Sequence, residues 1–554
     1  MSTTSAGDLP EQALPSAPQA RGRVIFVGTG PGDPDLLTLG AVDAIANASA
    51  VVIDNDALRS VFEHPAVRLA EGVTVTVAPR QPSGKPAPAS QRAKLVLKLS
   101  ENGGRVVRLV AGDPFLDANV ADEAAACVRG GIDFEVVPGV SSLTAVPEYS
   151  GISLNDASGV HFVAVPERVT KAQSSQWANT GTLVISTVAG LIPEIAEAAL
   201  TNGRPAEDQC LVTFFGGSTE QNTFQVSLGD LAARARDPKG RQETRIDPTE
   251  PAHVVIGRAV EHREDLEWYE SKPLFGWRVL VPRTKDQAAP MANRLRSYGA
   301  NSEEVPTISV EPPRSPQQME RAIRGLVEGR YEWVAFTSVN AVRAVRERFE
   351  DFGLDARALS GLKVAAVGPA TGGALQAWGI EPDLVPADDH SAAGLAAAWP
   401  PYDDVLDPIN RVFLPRADIA TETLKAGLTK LGWEVEDVTA YRTVRAAPPP
   451  APTREAIKTG KFDAVVFTSS STVRNLVGIA GKPHATTVIA AIGPATARTC
   501  EEHGLRVDVI APKPGAIELA DALANFAAAR RDTLVGQGQA VTRPSERKPG
   551  RRRS

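Results

Sequence analysis

Three motifs occur twice in the second half of the chain, and this duplication limits the folds available to it. The pairs are RVLVPR at 278 and RVFLPR at 411, VAFTS at 334 and VVFTS at 465, and VGPAT at 367 and IGPAT at 492. The same order at nearly the same period indicates an internal duplication, and two copies are too few for a solenoid. We therefore predict two similar α/β lobes that face a cleft.

Each Phe-Thr-Ser and Gly-Pro-Ala-Thr motif follows an apolar run and precedes a helix-like stretch. Hydroxyl groups and free amides at a helix N-terminus bind anions, although a single such Ser or Thr is usually a plain helix cap. Four such helix starts in two matching lobes favour a polyanionic ligand. The predicted substrate-binding residues of this half are Arg283, Thr337, Ser338, Thr371, Arg416, Thr468, Ser469, Ser470 and Thr496.

The first half opens with an apolar run, Val24–Val27, that ends in the glycine-rich turn GTGPGD at 28–33. Its third glycine comes one residue early for a dinucleotide-binding fingerprint, and the Gly-Lys-Ser/Thr of a Walker loop is absent from it. Two further apolar runs end in AGDP at 111–114 and in VPGVSS at 137–142. Because ligands bind beyond the carboxyl ends of strands in open α/β sheets, we predict that the three turns line one cleft.

Composition excludes several functional classes. The net charge of −7 argues against a general nucleic-acid binder, and Cys127, Cys210 and Cys500 are too scattered for a disulfide framework or a metal site. No apolar run approaches the roughly 20 residues of a membrane span, and no signal peptide is recognisable. We therefore expect a cytoplasmic protein without metal, membrane or nucleic-acid partners. Residues 1–21 and the basic tail 529–554 are predicted to be disordered.

The motifs GTGPGD, AGDP and VPGVSS, in this order and at these separations, resemble the tetrapyrrole methylase family, and uroporphyrinogen-III C-methyltransferases most of all. The resemblance implies two α/β subdomains that hold S-adenosyl-L-methionine between them and methylate pyrrole carbons of uroporphyrinogen III. Because family members often form dimers, a homodimer through this domain is a further expectation. The cofactor-binding residues that it implies are Gly28, Gly30, Pro31, Gly32, Asp33, Gly112, Asp113, Pro138, Gly139, Ser141 and Ser142.

Asp54 stands where the family has an acidic residue after a tyrosine, which is Ile53 here. Its carboxylate could accept the proton that the methylated carbon must lose, and a strand-end cap is the alternative. Arg80 is the remaining cation of a basic family motif and is a predicted substrate contact. Further family motifs with basic residues are replaced at 117–122 and 152–156, which should weaken binding of a polycarboxylate.

The two Phe-Thr-Ser turns, their duplication, and the stretch Tyr441-Arg442-Thr443 resemble the uroporphyrinogen-III synthase family. The resemblance implies that hydroxymethylbilane is cyclised to uroporphyrinogen III, with inversion of its terminal ring and without a cofactor. Control of the substrate's conformation, rather than a strong nucleophile, carries such a reaction. Tyr441 matches the family's hinge tyrosine, whose phenol could assist departure of the hydroxyl group. A packed hinge aromatic is the alternative.

The predicted fold class is therefore α/β, with a methylase fold of two α/β subdomains before a two-lobed synthase fold whose hinge has two strands. The hinge pairs 305–310 with 441–444. The predicted domains are a methylase-like domain at 22–265, a linker at 266–275 and a synthase-like domain at 276–528, with an outer lobe of 276–304 plus 447–528 and an inserted lobe of 313–437.

The two implied reactions are consecutive, because the product of the second half is the substrate of the first. We therefore expect a bifunctional enzyme of the tetrapyrrole branch that leads to sirohaem and cobalamin. Three alternatives remain open. They are a synthase with a degenerate methylase domain, a methylase for another precorrin, and a non-enzymatic anion sensor.

Overall fold

The structure is a computed structural model that describes residues 22–546, apart from 83–85, 102, 119, 156–158, 179–180, 237–246 and 284. The segments 1–21 and 547–554, predicted to be disordered, lie outside the described residues. The chain divides into two compact units. The first runs through Gly276 and includes Tyr298–Asn301, and the second takes Trp277–Ser297 and the chain from Ser302 onward.

Strands and helices alternate in the first unit. Its strands are β1 (Arg23–Gly28), β2 (Ala50–Ile53), β3 (Thr74–Val77), β4 (Arg105–Val110), β5 (Asp133–Val137), β6 (Val160–Val165), β7 (Thr182–Val188), β8 (Gln209–Phe214), β9 (Asn222–Ser227) and β10 (Pro251–Ile256). Its helices are α1 (Leu39–Ala46), α2 (Ala89–Ser100), α3 (Ala121–Arg129), α4 (Ser142–Tyr149), α5 (Lys171–Ser174), α6 (Ile192–Thr201), α7 (Leu228–Arg236) and α8 (Arg263–Leu266). Short 3-10 helices span Pro34–Leu36, Asp56–Glu63, Ala189–Leu191 and Arg258–His262.

These strands form two five-stranded sheets. The first, β3-β2-β4-β1-β5, is parallel throughout, and the second, β6-β7-β10-β8-β9, is mixed, because β10 runs antiparallel to both β7 and β8. Residues Val24–Val27 of β1 are completely buried, with hydrophobic clusters on both faces, which is typical of a parallel strand. Since β4, β1 and β5 are neighbours, the three glycine-containing turns at their carboxyl ends lie side by side.

Residues 266–275, predicted to be a linker, are folded into the first unit. Tyr269 is only 4% exposed, and its ring centroid lies 4.6 Å from that of Tyr149 and 5.3 Å from that of Phe275. Leu274 is fully buried. The prediction of a linker was wrong here because the aromatic side chains of this short stretch find partners far away in the sequence.

The other ten strands of the described chain belong to the second unit, although Asn301, the first residue of β12, groups with the first. They are β11 (Arg278–Val281), β12 (Asn301–Glu304), β13 (Ile308–Glu311), β14 (Trp333–Phe336), β15 (Lys363–Ala366), β16 (Arg411–Ala417), β17 (Glu434–Arg445), β18 (Ala464–Phe467), β19 (Val488–Ala491) and β20 (Val509–Ile510). Its helices are α9 (Lys285–Ser297), α10 (Pro316–Val327), α11 (Val339–Asp351), α12 (Pro369–Ala377), α13 (Ala392–Ala398), α14 (Thr423–Lys430), α15 (Ala451–Thr459), α16 (Ser470–Ala480), α17 (Pro494–Glu502) and α18 (Ala516–Gly536). Two short 3-10 helices span Ala356–Leu359 and Pro544–Glu546.

The repeated motifs occupy corresponding places in two sheets. One sheet has the order β12-β11-β18-β19-β20 and the other β13-β17-β16-β14-β15. The neighbours β11, β18 and β19 carry the same motifs, in the same spatial order, as β16, β14 and β15. The long strand β17 pairs in parallel with β16, and its last residues, Arg442–Arg445, pair antiparallel with β13. The chain thus passes between the two sheets through a two-stranded ribbon.

The end of the described chain corrects one prediction. Disorder was predicted from residue 529, but α18 continues to Gly536 and the chain then turns back onto the second unit. The amide of Ser545 donates a hydrogen bond to Asp463 Oδ1 at 2.9 Å, and Arg278 N donates to the other oxygen of this fully buried carboxylate at 2.8 Å. The prediction was based on the polar composition of the tail, which gives no information about its contacts with residues far away in the sequence.

A chain of buried charges links three elements of the first unit. Arg108, 1% exposed on β4, contacts Glu123 Oε2 at 3.1 Å and Asp54 Oδ1 at 2.5 Å, and Arg92 contacts Glu123 Oε1 at 2.6 Å. Burial alone would lower the pKa of Arg108, but the two carboxylates outweigh it and raise that pKa. Glu123 has no exposed surface, so its carboxylate is neutralised by the two arginines rather than by solvent.

We predict that Glu123→Gln lowers the stability of the first unit by about 3–5 kcal/mol, because it removes the buried carboxylate shared by Arg92 and Arg108 and leaves two guanidinium groups with Asp54 as their one carboxylate partner among the described residues. In scanning calorimetry of the full chain, the unfolding transition of the first unit should move to a lower temperature, while that of the second unit should not change. The control is Asp56→Asn, which removes an exposed ion pair with Arg59 and should cost less than about 1 kcal/mol. Equal effects of the two substitutions would contradict the structural role of the buried network.

Candidate cofactor and substrate sites

The three glycine-containing turns of the first unit touch backbone to backbone. A Cβ atom added to Gly28 would lie 2.4 Å from the Gly112 oxygen and 2.6 Å from the Gly139 nitrogen. One added to Gly139 would lie 2.3 Å from the same Gly112 oxygen. In addition, Gly112 N donates to Gly30 O at 2.7 Å. No side chain fits at this junction, so its surface is made of peptide groups that a ligand can approach closely.

Two carboxylates brace these turns from within. Asp113 Oδ2 accepts a hydrogen bond from Gly139 N at 3.3 Å. Asp117 Oδ2 accepts one from Asp113 N at 2.7 Å, and Asp117 Oδ1 accepts one from the Ser142 hydroxyl at 2.6 Å. Asp117 was noted in the sequence only as a departure from a family pattern, and its bracing role was missed. The position of Asp117 four residues after Asp113 could have indicated that the two carboxylates act on the same turn.

The remaining predicted cofactor residues lie around the same junction. Ser141 caps α4 by accepting a hydrogen bond from Leu143 N at 3.2 Å. Pro138 is exposed at the end of β5. Pro31 contacts the turn that follows β8, since a Cβ added to Gly217 would lie 3.2 Å from Pro31 Cγ.

Gly32 and Asp33 also face residues that come later in the sequence than the strands of the first sheet. A Cβ added to Gly32 would lie 3.1 Å from the Gly216 oxygen. Asp33 Oδ2 accepts a hydrogen bond from the Tyr149 hydroxyl at 2.9 Å, and burial together with this carboxylate raises the pKa of Tyr149 well above its ordinary value. Both subdomains of the first unit therefore contribute to the surroundings of the glycine turn.

Asp54 and Arg80 lie together at the same edge of the first sheet. Arg80 Nη1 donates to the Asp54 carbonyl at 3.2 Å, while the Asp54 carboxylate contacts Arg108. The Asp54 side chain is 29% exposed. It is therefore open to a ligand on one side and fixed by a buried cation on the other, so it combines a structural contact with an accessible carboxylate.

A cleft of about 1040 Å³ in the second unit lies beside the two-stranded ribbon. Its walls come from both sheets and from the first turn of α11. Among the lining residues are Glu303, Glu304, Ser338, Asn340, Arg343 and Thr453. Of these, only Ser338 was singled out in the sequence, because the others carry no local motif and meet only in the folded chain.

The predicted hinge tyrosine is connected to this cleft by a single hydrogen bond. Tyr441 is 7% exposed, and its hydroxyl lies 2.9 Å from the Ser338 hydroxyl. Ser338 also caps α11 by accepting a hydrogen bond from Ala341 N at 3.1 Å. The phenol is thus packed in the core and is connected to the cleft through Ser338.

The two Phe-Thr-Ser copies have the same local geometry. Ser338 and Ser469 are the N-caps of α11 and α16, with φ of −165° and −168°. Thr337 and Thr468 precede them, half-buried at the ends of their strands. Ser470 donates to the Ala495 carbonyl at 3.2 Å, which connects α16 to α17.

Three predicted substrate contacts are placed differently from expectation. Thr371 and Thr496 are each only 4% exposed, so their side chains pack inside the first turns of α12 and α17. Arg416 is 6% exposed and paired with Asp437 and Glu422, and its hydrogen bond to Asp437 raises its pKa against the effect of burial. Tertiary packing, which the motifs do not reveal, thus gives these three side chains partners inside the protein.

Arg283 lies just after β11 and is half-buried, and this burial lowers its pKa. Within the ranges that the structure describes, no group of three or more His, Cys, Asp and Glu side chains is placed to hold a metal ion. None of the helices in those ranges has the length and apolar character that a membrane span requires.

Family models match both halves of the chain. Residues 289–521 match the model described as "Uroporphyrinogen-III synthase HemD", and residues 23–232 match the model "Tetrapyrrole (Corrin/Porphyrin) Methylases". A porphyrin biosynthesis protein HemD of Ruminiclostridium josui is 26% identical over 89% of this chain and 95% of its own length.

A siroheme synthase of Stutzerimonas stutzeri is 31% identical over 48% of this chain. The chain spans just over half of that relative, 56% of its length. A solved uroporphyrin-III C-methyl transferase of Thermus thermophilus, complexed with S-adenosyl homocysteine, is 28% identical, with a TM-score of 0.35 over 43% of this chain and 99% of that one. The two matches together show a chain in which a segment similar to the tetrapyrrole methylases precedes a segment similar to the uroporphyrinogen-III synthases.

Proposed function

We propose that the second unit cyclises hydroxymethylbilane to uroporphyrinogen III and that the first unit methylates this product with S-adenosyl-L-methionine toward precorrin-2. The proposal rests on the fusion of the two families in one chain, since the product of one reaction is the substrate of the other. The observation that carries it is the cleft beside the ribbon, where Ser338 connects the Tyr441 hydroxyl to a space of about 1040 Å³.

In the synthase reaction, the protein has to hold a flexible polycarboxylate and assist the departure of a hydroxyl group. The first turn of α11 brings helix N-terminal amides, which suit carboxylates, to the cleft, and Arg343 adds a positive charge to the cleft wall. The Tyr441 hydroxyl donates a proton toward the leaving group by way of Ser338. The shape of the cleft determines which pyrrole carbon closes the ring, because it favours one conformation of the bound substrate.

For the methylase reaction, the junction of Gly28, Gly112 and Gly139 fits a cofactor that needs close contact with peptide groups. S-adenosyl-L-methionine supplies the methyl group there. The accessible Asp54 carboxylate accepts the proton lost by the methylated carbon, and Arg108 fixes its position. Arg80, next to Asp54, offers a cation to a substrate carboxylate.

A methylase for a different tetrapyrrole is the second candidate. One observation favours it: Asp117, within a family motif that normally includes arginine, is turned inward and braces the glycine-containing turns. The substrate face of the first unit thereby has fewer cations than a uroporphyrinogen methylase would be expected to carry. A panel of tetrapyrroles incubated with labelled cofactor separates the two candidates.

We predict that Tyr441→Phe lowers kcat for hydroxymethylbilane cyclisation at least about tenfold, because it removes the proton donor that Ser338 connects to the cleft. The amounts of the inverted and non-inverted ring isomers should be measured by chromatography after oxidation of the products to porphyrins. KM should change little, since the phenol does not line the cleft.

The matched control for this variant is Tyr402→Phe, which changes a tyrosine that packs on Trp433 elsewhere in the same unit. Its turnover should equal that of the wild type. Unchanged turnover of a well-folded Tyr441→Phe protein would reduce Tyr441 to a packing residue and contradict its role in proton transfer.

We predict that Gly139→Ala abolishes S-adenosylhomocysteine binding by the full chain, because its Cβ would force Gly28 and Gly112 apart. Titration calorimetry gives the affinity, and hydroxymethylbilane turnover by the same sample reports on the second unit, which should be unaffected. Gly373→Ala, where an added Cβ meets nothing within 4 Å, is the control that should bind like the wild type. Undiminished binding by Gly139→Ala would place the cofactor elsewhere.

A further inference from the structure

The duplicated motifs RVLVPR and RVFLPR each begin with an arginine that forms an ion pair with the neighbouring strand. Arg278 is the first residue of β11, and its Nη2 atom lies 3.0 Å from Glu303 Oε2 on β12. Arg411 is the first residue of β16, and its Nη2 atom lies 3.0 Å from Glu434 Oε1 on β17. The two arginine side chains are almost equally exposed, at 41% and 40%. The duplication therefore provides two ion pairs of the same construction within one unit.

The ion pair between β11 and β12 lies at the cleft beside the ribbon. Glu303 lines this cleft, and its Oε1 atom accepts a hydrogen bond at 2.9 Å from the hydroxyl of Thr453, another lining residue. In the described part of the chain, neither Arg411 nor Glu434 is among the residues that line the cleft. The position of the ion pair, rather than its chemistry, therefore distinguishes Arg278 from Arg411.

The charges of the cleft wall make the ion pair of Glu303 important for an anionic ligand. The ionisable side chains that line the cleft in the described chain are those of Glu303, Glu304 and Arg343. They supply two negative charges and one positive charge, whereas the proposed substrate is a polycarboxylate. Arg278 is not a lining residue, but its guanidinium contacts the Glu303 carboxylate and thus offsets one of the negative charges.

Contacts to Phe462 and Asp463 fix the position of Arg278. Its backbone amide donates to Asp463 Oδ2 at 2.8 Å, and the other oxygen of this fully buried carboxylate accepts from Ser545 N at 2.9 Å. The guanidinium carbon of Arg278 lies 4.7 Å from the centre of the Phe462 ring, within the range of cation–π attraction. An exposed ion pair alone contributes little stability, but these contacts hold the guanidinium within reach of Glu303.

We propose that Arg278 is a positioning residue of the synthase reaction, which neutralises Glu303 and so allows the cleft wall to accept a substrate rich in carboxylates. This inference rests on the proposed function of the second unit and deepens it. Without Arg278, the Glu303 carboxylate would face the substrate uncompensated and repel its carboxylates. Arg411 contributes nothing comparable, because its partner lies outside the cleft lining.

The test is the steady-state kinetics of the full-length Arg278→Gln protein with hydroxymethylbilane. We expect KM to rise about five- to tenfold with kcat nearly unchanged, because the lost charge acts on substrate binding rather than on the proton donor. The rise should diminish when salt is added, since exposed charges are screened. Arg278→Lys, which retains the positive charge, should keep KM close to the wild-type value.

Three further variants separate the effect of charge from that of packing. Arg411→Gln removes the matching arginine of the other sheet and changes the net charge equally, so its KM should equal that of the wild type. Adding Glu303→Gln to Arg278→Gln removes the uncompensated carboxylate and should return KM toward the wild-type value. Glu303→Gln alone leaves the positive charge of Arg278 beside the cleft and should lower KM.

An unchanged KM of Arg278→Gln overturns the proposal, as does an equal rise of KM in Arg411→Gln. A rise that the added Glu303→Gln substitution does not reverse would show that Arg278 acts through packing, which also overturns the proposal. If the wild-type chain forms no inverted isomer, the synthase function itself fails, which is a different result from failure of the contribution of Arg278.

Discussion

Parallel strand pairing is the constraint on which both sites depend. It brings the carboxyl ends of neighbouring strands to one edge of a sheet, where consecutive turns meet regardless of their distance in the sequence. In the first unit this edge gathers Gly28, Gly112 and Gly139 into direct backbone contact. In the second unit it places the Phe-Thr-Ser turn of each sheet at the start of a helix, with its serine as the cap.

The two units use this constraint for different chemistry. The first removes side chains from the junction of its turns, which leaves peptide groups for the sulfonium cofactor that we propose there. The second keeps hydroxyl groups and helix starts beside a cleft, which suits an anionic chain that must be held in one conformation. Ser338 shows how closely structure and chemistry are combined, since the same hydroxyl caps α11 and contacts Tyr441.

Features encoded in short motifs could be predicted from the sequence. The glycine-containing turns and the duplication leave local signatures, whereas the pairing of β13 with the end of β17 was expected only from the resemblance to the synthase family. The pairing of Arg416 with Asp437, the burial of Thr371 and Thr496, and the contact of Ser545 with Asp463 could not be predicted, because each depends on side chains brought together by tertiary packing.

The most direct test of the central claim uses the full chain, hydroxymethylbilane and S-adenosyl-L-methionine labelled in its methyl group. The product isomers are separated by chromatography, and the mass of each is measured by mass spectrometry. The account predicts the inverted isomer in the absence of cofactor, and the same ring carrying labelled methyl groups in its presence. Formation of the non-inverted isomer alone would contradict the synthase assignment, and an inverted ring without label would contradict methylation of that product.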